Sequence, residues 1–402
     1  MIQLGIENLL KNKKLTKQLL GKRVALVAHP ASVDKNLVHS IDLLSKNLKG
    51  GLSCAFGPQH GMRGEKQDNM IESDDFIDPI HKIPIFSLYG TVRRPTPKML
   101  DHFDIALFDL QDVGCRIYTF LTTLFYMMED CARTGKAIWV LDRPNSAGRP
   151  FEGNYLEKKF FSFVGGAEIP MRHGLTLGEA GLWYKNKMNL NIDFQVIKMT
   201  GYNPDKAPNY GWPQGEMPWV NPSPNMPRLS TARSYAGTVL IEGTRLSEGR
   251  GTTIPLEVIA APGIDGEELV KRMHKMIPQY LKKGVRLRPC FFEPTFQKHA
   301  KTLCSGFQIH IDQKDYNHAA YKPYRIVAAA LKCIREMQPD FDMWLPPPYE
   351  YEKINMPIDI LSGNSKLREW VDDKSAKWKD YDSWLTANEK PWAKERKPFL
   401  LY

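Results

Sequence analysis

The 402-residue chain has no long hydrophobic run. Its longest charge-free apolar stretch, Ile117–Met128, falls well short of the roughly 20 residues that span a bilayer, which excludes a helical membrane protein. The N-terminal MIQLGIENLLKNKK lacks the apolar core and small-residue cleavage site of an export signal, so a cytoplasmic location is expected. Cysteine is sparse: six residues lie far apart with no C-x-x-C, which excludes zinc-ribbon and thioredoxin-type chemistry and predicts reduced, buried thiols. Also missing are G-x-G-x-x-G after the first strand, G-x-x-x-x-G-K-[ST], H-E-x-x-H and G-x-S-x-G. Their absence disfavours nucleotide cofactors, zinc proteolysis and serine hydrolysis. No cofactor or metal is expected, and His310 and Asp312, which alternate along one strand face, read as solvent-facing polar residues. Acidic residues are in deficit, 45 against 55 basic ones, and the net charge of +10 favours anionic ligands. The densest basic stretch, Val270–Arg288, reads as the solvated side of a helix that starts at the acidic Asp265–Glu268. No nucleic-acid motif accompanies it. Nucleic acid and membrane are therefore not expected partners, and an anionic polymer is the weakest of the readings kept open.

What is present is an alternation of short apolar runs with helical patterns. Strands are expected at Val24–His29, Ser53–Phe56, Ile85–Tyr89, Ile105–Leu110, Ala137–Leu141 and Phe194–Met199. Helices are expected at Val38–Leu48, near Thr96-Pro97, at Tyr118–Ala132 with Gly135 as the stop, and at Thr176–Met188, where Thr176 and Glu179 form a capping box. This predicts an α/β fold: a Rossmann-like parallel sheet covered on both faces. Residues 207–227 hold six prolines, so a domain boundary is placed near Met226, dividing 1–226 from a smaller α+β domain over 227–402. That second part is expected to hold a helix over Gly266–Lys282, strands at Val285–Phe292 and Phe307–Ile311, and a helix at Tyr324–Met337. In the tail, Ser365–Lys397, Trp370, Trp378, Trp384 and Trp392 are expected to pack amphipathic helices onto the body.

In open α/β sheets ligands bind beyond the carboxyl ends of the strands, so the residues just after each strand are the candidates. Four such places carry polar clusters with glycine or proline: Gly57–Glu65, Gln111–Tyr118, Asp142–Asn145 and Met171–Gly174. They contribute Gln59, His60, Arg63, Asp112, Arg116, Asp142, Arg143, Asn145, Arg172 and His173. The Gly-rich stretch EGTRLSEGRGT adds Glu242 and Glu248, and the Pro-rich loop adds Trp212 and Trp219 as faces for a sugar ring.

Read in order, PQHGMRGE, SLYG, FDLQDVGCRIYTFLTTL, LDRPN, HGLTLGE, NPSPNMP and EGTRLSEGRGT resemble the motifs of the NamZ-type exo-β-N-acetylmuramidases, a family once described only as a domain of unknown function. The resemblance runs from about Gly5 into the C-terminal region. It implies a glycoside hydrolase with a cleft between its two domains, releasing non-reducing-end N-acetylmuramic acid from peptidoglycan fragments. Muropeptides or amino sugars are then the expected small-molecule ligands.

Glycoside hydrolysis needs a carboxylic acid to protonate the leaving oxygen and a second group to activate water or attack the sugar. In the family the first cluster usually reads P-E-H-G, and its glutamate is the implied acid. Here that position is Gln59, and an amide has no acidic proton to give. Three readings follow: a substitute acid, a displaced role for this position, or an inactive muropeptide- or amino-sugar-binding relative. The candidate substitutes are Glu65, Asp68, Asp112, Glu242 and Glu248, with His60 as a possible proton-transfer partner. The lactyl carboxylate of muramic acid suits a guanidinium, which makes Arg63, Arg116, Arg143 and Arg172 binding candidates, together with Asp142, Asn145 and His173.

Overall fold

A computed structural model describes residues 1–402 apart from 49, 65, 67–70, 208–209 and 283. Among the described residues, nine strands belong to the N-terminal part: β1 (Val24–Val27), β2 (Cys54–Gly57), β3 (Phe76–Ile77), β4 (Pro84–Ser87), β5 (Ile105–Phe108), β6 (Ala137–Leu141), β7 (Glu152–Tyr155), β8 (Pro170–Arg172) and β9 (Phe194–Ile197). Seven of them form one sheet in the order β3-β4-β2-β1-β5-β6-β9, parallel throughout except for the β3–β4 edge. The expected mainly parallel sheet is there. Strands β1, β2 and β5 are buried along their whole length, as strands covered on both faces must be. Alternate residues feed two separate cores. Val27, Phe56 and Phe108 face the helices Phe120–Thr134 and Leu177–Lys187, whereas Leu26, Leu107 and Trp139 face the helices Gly5–Lys11 and Ser40–Asn47.

Local signals explain the helix ends. Gly135 takes φ +68° and donates its N–H to the Cys131 carbonyl, closing Phe120–Thr134 in the left-handed form that glycine permits. At Leu177–Lys187 the Thr176 hydroxyl accepts the Glu179 N–H, and the Glu179 carboxylate accepts the Thr176 N–H at 2.9 Å, the reciprocal cap expected from the sequence.

The smaller C-terminal domain carries an antiparallel sheet of β10 (Val258–Ala261), β11 (Arg286–Phe292) and β12 (Cys304–His310), with β12 central. The helix expected over Gly266–Lys282 stops at Met276, because Pro278 cannot donate to the ladder and disfavours helical backbone just before it. The last helix, Trp378–Arg396, crosses back onto β7. Trp392 is fully buried there and donates its indole N–H to the His173 carbonyl at 2.7 Å, while Glu389 accepts the Gly153 N–H at 2.7 Å. Trp370 is buried as well. Among the described residues, no helix is long and apolar enough to cross a membrane.

The sheet's central carboxyl edge is locked by charge. Arg143 donates from Nε and Nη2 to the two oxygens of Asp109 at 2.6 and 2.9 Å, and both side chains are at most 2% exposed. Asp109→Ala leaves this guanidinium buried without its counter-ion and is expected to cost about 3–5 kcal/mol. Asp42, half exposed and paired with His81, is the control: Asp42→Ala should stay within about 0.5 kcal/mol. Urea unfolding of the two variants checks this, and equal losses would contradict it.

Candidate active site

The chain leaves β2 through a tight turn. Gly61 donates its N–H to the Pro58 carbonyl at 2.9 Å, and His60 sits at φ +71°. Gly57 is required at the strand end, since a Cβ there would lie 2.6 Å from the Met62 nitrogen. This turn presents Gln59 and His60 at the edge of the sheet. Gln59 accepts the Thr119 hydroxyl on Oε1 at 2.8 Å, which turns its NH2 group toward the Glu350 carboxylate. His60 places Nδ1 2.9 Å from the Lys66 carbonyl and Nε2 3.1 Å from the Ser223 hydroxyl. Carbonyls only accept, so the proton resides on Nδ1 and Nε2 accepts from Ser223.

The opposite wall comes from the C-terminal half. Glu242, in the short 3₁₀ turn Val239–Gly243, accepts from Arg250 Nη2 at 2.6 Å and from the Tyr349 hydroxyl at 2.7 Å. Arg250 is buried and its Nε donates to Glu248 at 3.0 Å; among the described residues its Nη1 has no hydrogen-bond partner. Burial pushes the Glu248 carboxyl up, but Lys298, at 2.7 Å, and Arg250 more than reverse this and hold it below its ordinary value.

Glu350 closes the site. It is 5% exposed and accepts the Tyr89 hydroxyl at 2.8 Å. Burial pushes its carboxyl up to about 7, and the neighbouring Glu242 charge adds to the effect; the donors Tyr89 and Gln59 and the cation Arg93 limit it. The backbone is built for this placement. Tyr349 and Glu352 exchange N–H···O bonds at 2.9 Å, so Glu350 (φ +45°) and Tyr351 (φ +71°) form a two-residue hairpin turn. Such turns favour Asn-Gly. Glu and Tyr in left-handed backbone cost of order 1–2 kcal/mol each, a strain that holds Glu350 inward and leaves Tyr351 52% exposed.

Together Gln59, His60, Glu242, Arg250, Tyr349 and Glu350 line a polar throat with only about 30 Å³ of free volume. A cavity of about 500 Å³ adjoins it through Gln59, His60 and Ser223, and a second of about 360 Å³ adjoins it through Glu350.

Of the candidates named from the sequence, the structure brings Gln59, His60 and Glu242 into the throat and Arg63 and Trp219 into the larger cavity. Arg63 is half exposed and pairs with Asp78. Glu248 lies one layer back, behind Arg250. Glu65 and Asp68 lie outside the described residues. The remaining candidates occur after strands, as expected, but the chain folds over them and their polar groups are engaged within the fold. Arg116 donates to the carbonyls of Asn154, Ile169 and Leu361, and Arg172 to those of Tyr321 and Ala147. Arg143 holds Asp109 and the Val33 carbonyl. Asn145 bridges the Gly148 and Leu175 carbonyls. Asp142 accepts from the Thr176 hydroxyl, the Gly178 N–H and the Tyr402 hydroxyl, tying down the chain's end. Asp112 and His173 face each other at 3.9 Å, both buried. Burial drives the acid up to about 7 and, together with Arg396, the imidazole down to about 3, but neither residue lines the throat. Trp212 is buried in a T-shaped contact with Trp219 and offers no free face.

Sequence reasoning missed Glu350. Its signal is the rigid Pro346-Pro347-Pro348 run followed by an acid between two tyrosines. Among the described residues, no group of three or more His, Cys, Asp or Glu side chains is placed to hold a metal ion.

Comparison with known proteins identifies the assembly. The description "Exo-beta-N-acetylmuramidase NamZ, N-terminal" matches residues 24–230, and "Exo-beta-N-acetylmuramidase NamZ, C-terminal" matches residues 233–402. The chain is 36% identical over 407 residues to the peptidoglycan beta-N-acetylmuramidase NamZ of Bacillus subtilis strain 168, covering all of this chain and 91% of that protein. Two crystal structures of DUF1343 family proteins from Bacteroides fragilis also match. One has a TM-score of 0.84 at 29% identity, the other 0.75 at 25%, each covering 100% of this chain and 99% of the other. The chain belongs to the NamZ exo-β-N-acetylmuramidase family of glycoside hydrolases.

Proposed function

We propose that this protein hydrolyses the bond between a non-reducing-end N-acetylmuramic acid and the rest of a peptidoglycan fragment, with Glu350 as the proton donor. The observation that carries this reading is a carboxyl raised to about 7 in a narrow throat, with a second carboxylate, Glu242, on the facing wall. A carboxyl that keeps its proton near neutral pH, with a second carboxyl lining the same throat, is what glycoside hydrolysis requires. Glu350 gives its proton to the glycosidic oxygen as the C1–O bond breaks. Positive charge develops at C1 and the ring oxygen, and Glu242, fixed by Arg250 and Tyr349, offsets it. Water then adds to C1, and its proton passes to the ionised carboxylate.

On this reading position 59 is not the acid. Gln59 acts as a donor that orients Glu350, so the glutamine is compatible with turnover. The muramoyl ring occupies the larger cavity, which has Arg63 and, among the described residues, no acidic side chain on its walls. Arg63, whose guanidinium also pairs with Asp78, is the cation a lactyl carboxylate meets there.

The wild-type protein is expected to hydrolyse a chromogenic β-N-acetylmuramide and leave the N-acetylglucosamine analogue intact. Glu350→Gln should lower kcat by about 10²–10⁴-fold on a muropeptide, whose leaving alcohol needs protonation, and by much less on an activated aryl leaving group. Equal losses on both would place the proton elsewhere. Wild type that binds muramides without hydrolysing them would favour an inactive sugar-binding protein.

The pH profile follows from the same carboxyl. The acid form works, and with the folded-state value near 7 instead of the ordinary 4.5 it is populated below pH 7 and lost above it. The rate on muropeptides should therefore fall as pH rises through about 7. Gln59→Glu puts a second carboxyl beside Glu350 and should move this limb to higher pH. A limb that stays in place, measured from kcat against pH for both proteins, would contradict the pairing.

A further inference from the structure

We infer that the cavity on the far side of Glu350 is the seat of the leaving group, and that it selects an uncharged pyranose, stacked on Tyr351 and Phe161. This rests on the reading of Glu350 as the proton donor. Glu350 borders both the throat and this cavity, so the oxygen it protonates lies at their junction. The second carboxylate and Arg250 stand on the throat side, which places the reacting C1 there and the departing alcohol beyond Glu350.

The cavity is built for a ring. It measures about 360 Å³, within the roughly 300–1,000 Å³ of small-molecule sites. Two large aromatic residues stand exposed at its rim, Tyr351 at 52% and Phe161 at 39%, where burial would be the default for such side chains. Tyr351 is rigid although exposed. The hairpin turn fixes its backbone, the Arg93 guanidinium lies 4.2 Å from its ring centre, and its hydroxyl donates to Glu72 at 3.2 Å. Arg93 is itself held between Tyr351 and Tyr89, 4.2 Å from that ring too, and pairs with Glu72 at 3.3 Å. A fixed aromatic face beside carboxylates and a guanidinium matches the two sides of a pyranose, which presents apolar C–H groups on its faces and hydroxyls at its edge.

Charge decides which pyranose. Among the described residues, the walls carry Glu72, Glu350 and Glu352 against one cation, Arg93, which pairs with Glu72. A ring bearing a carboxylate is disfavoured here, whereas the walls of the Arg63 cavity carry no acidic side chain among the described residues. A neutral amino sugar or other uncharged hexose is the ligand class that fits.

The test compares two substrates: methyl β-N-acetylmuramide, whose leaving group has no ring, and N-acetylmuramic acid β-linked to N-acetylglucosamine. Tyr351→Ala should lower kcat/KM on the disaccharide about tenfold, mainly through KM, with a change below about twofold on the methyl glycoside. Phe161→Ala, at an exposed position outside the turn, should act in the same direction, and Tyr351→Phe, which keeps the ring but not the bond to Glu72, should lose less on the disaccharide than Tyr351→Ala. Equal losses on both substrates, or no loss on the disaccharide, would overturn the assignment. Failure of the wild type to hydrolyse either substrate would instead overturn the proposed function.

Discussion

A carboxyl group deprived of water is a poor anion, and the throat depends on holding Glu350 in that condition. Tyr89 and Gln59 supply hydrogen bonds, but not enough to compensate for the lost hydration, and the Glu242 charge opposes ionisation further. Arg250 lies on the far side of Glu242, where it fixes that carboxylate without neutralising Glu350. The result is a carboxyl that favours its protonated form, with a second carboxyl in the same narrow space.

That arrangement exists only where the two halves of the chain meet. Gln59 and Thr119 come from the carboxyl edge of the parallel sheet, Glu242 and Arg250 from the turn and loop after the Pro-rich segment, and Glu350 from a hairpin close to the C-terminal helices. The junction is held by contacts remote from the throat. Glu152 accepts the Arg325 N–H at 2.9 Å, Trp392 plugs against His173, and Tyr402 reaches Asp142. Several polar residues that sequence logic assigns to chemistry are spent on this closure. Buried guanidinium groups such as Arg116 and Arg172 satisfy backbone carbonyls that no helix or strand takes up.

The parallel sheet was legible because strands buried on both faces write themselves as short apolar runs, as in VALV and IALF, and the helix limits because Gly135 and Thr176 have one local role each. Hairpin strand β7 was not, since Glu152 and Asn154 are polar yet fully buried, bonded to Arg325 and Tyr324 from distant segments. The site was half legible. Gln59, His60, Glu242 and Arg63 stand in clusters whose composition shows their use. Asp112, Asp142, Arg172 and His173 stand in clusters of the same composition, and only tertiary structure reveals that the chain covers them. Glu350 is the reverse case: its neighbours in sequence do not show that the fold buries it, because the groups that surround it, Gln59, Tyr89 and Glu242, lie more than 100 residues away along the chain.

The central claim is that Glu350 holds a proton at neutral pH. The direct measurement is carbon NMR of protein labelled at glutamate side-chain carboxyls, titrated from pH 4 to 9 and assigned by difference from Glu350→Gln. The account predicts one carboxyl signal, absent from the variant, that titrates near 7. A Glu350 signal that titrates near the ordinary 4.5 would contradict it.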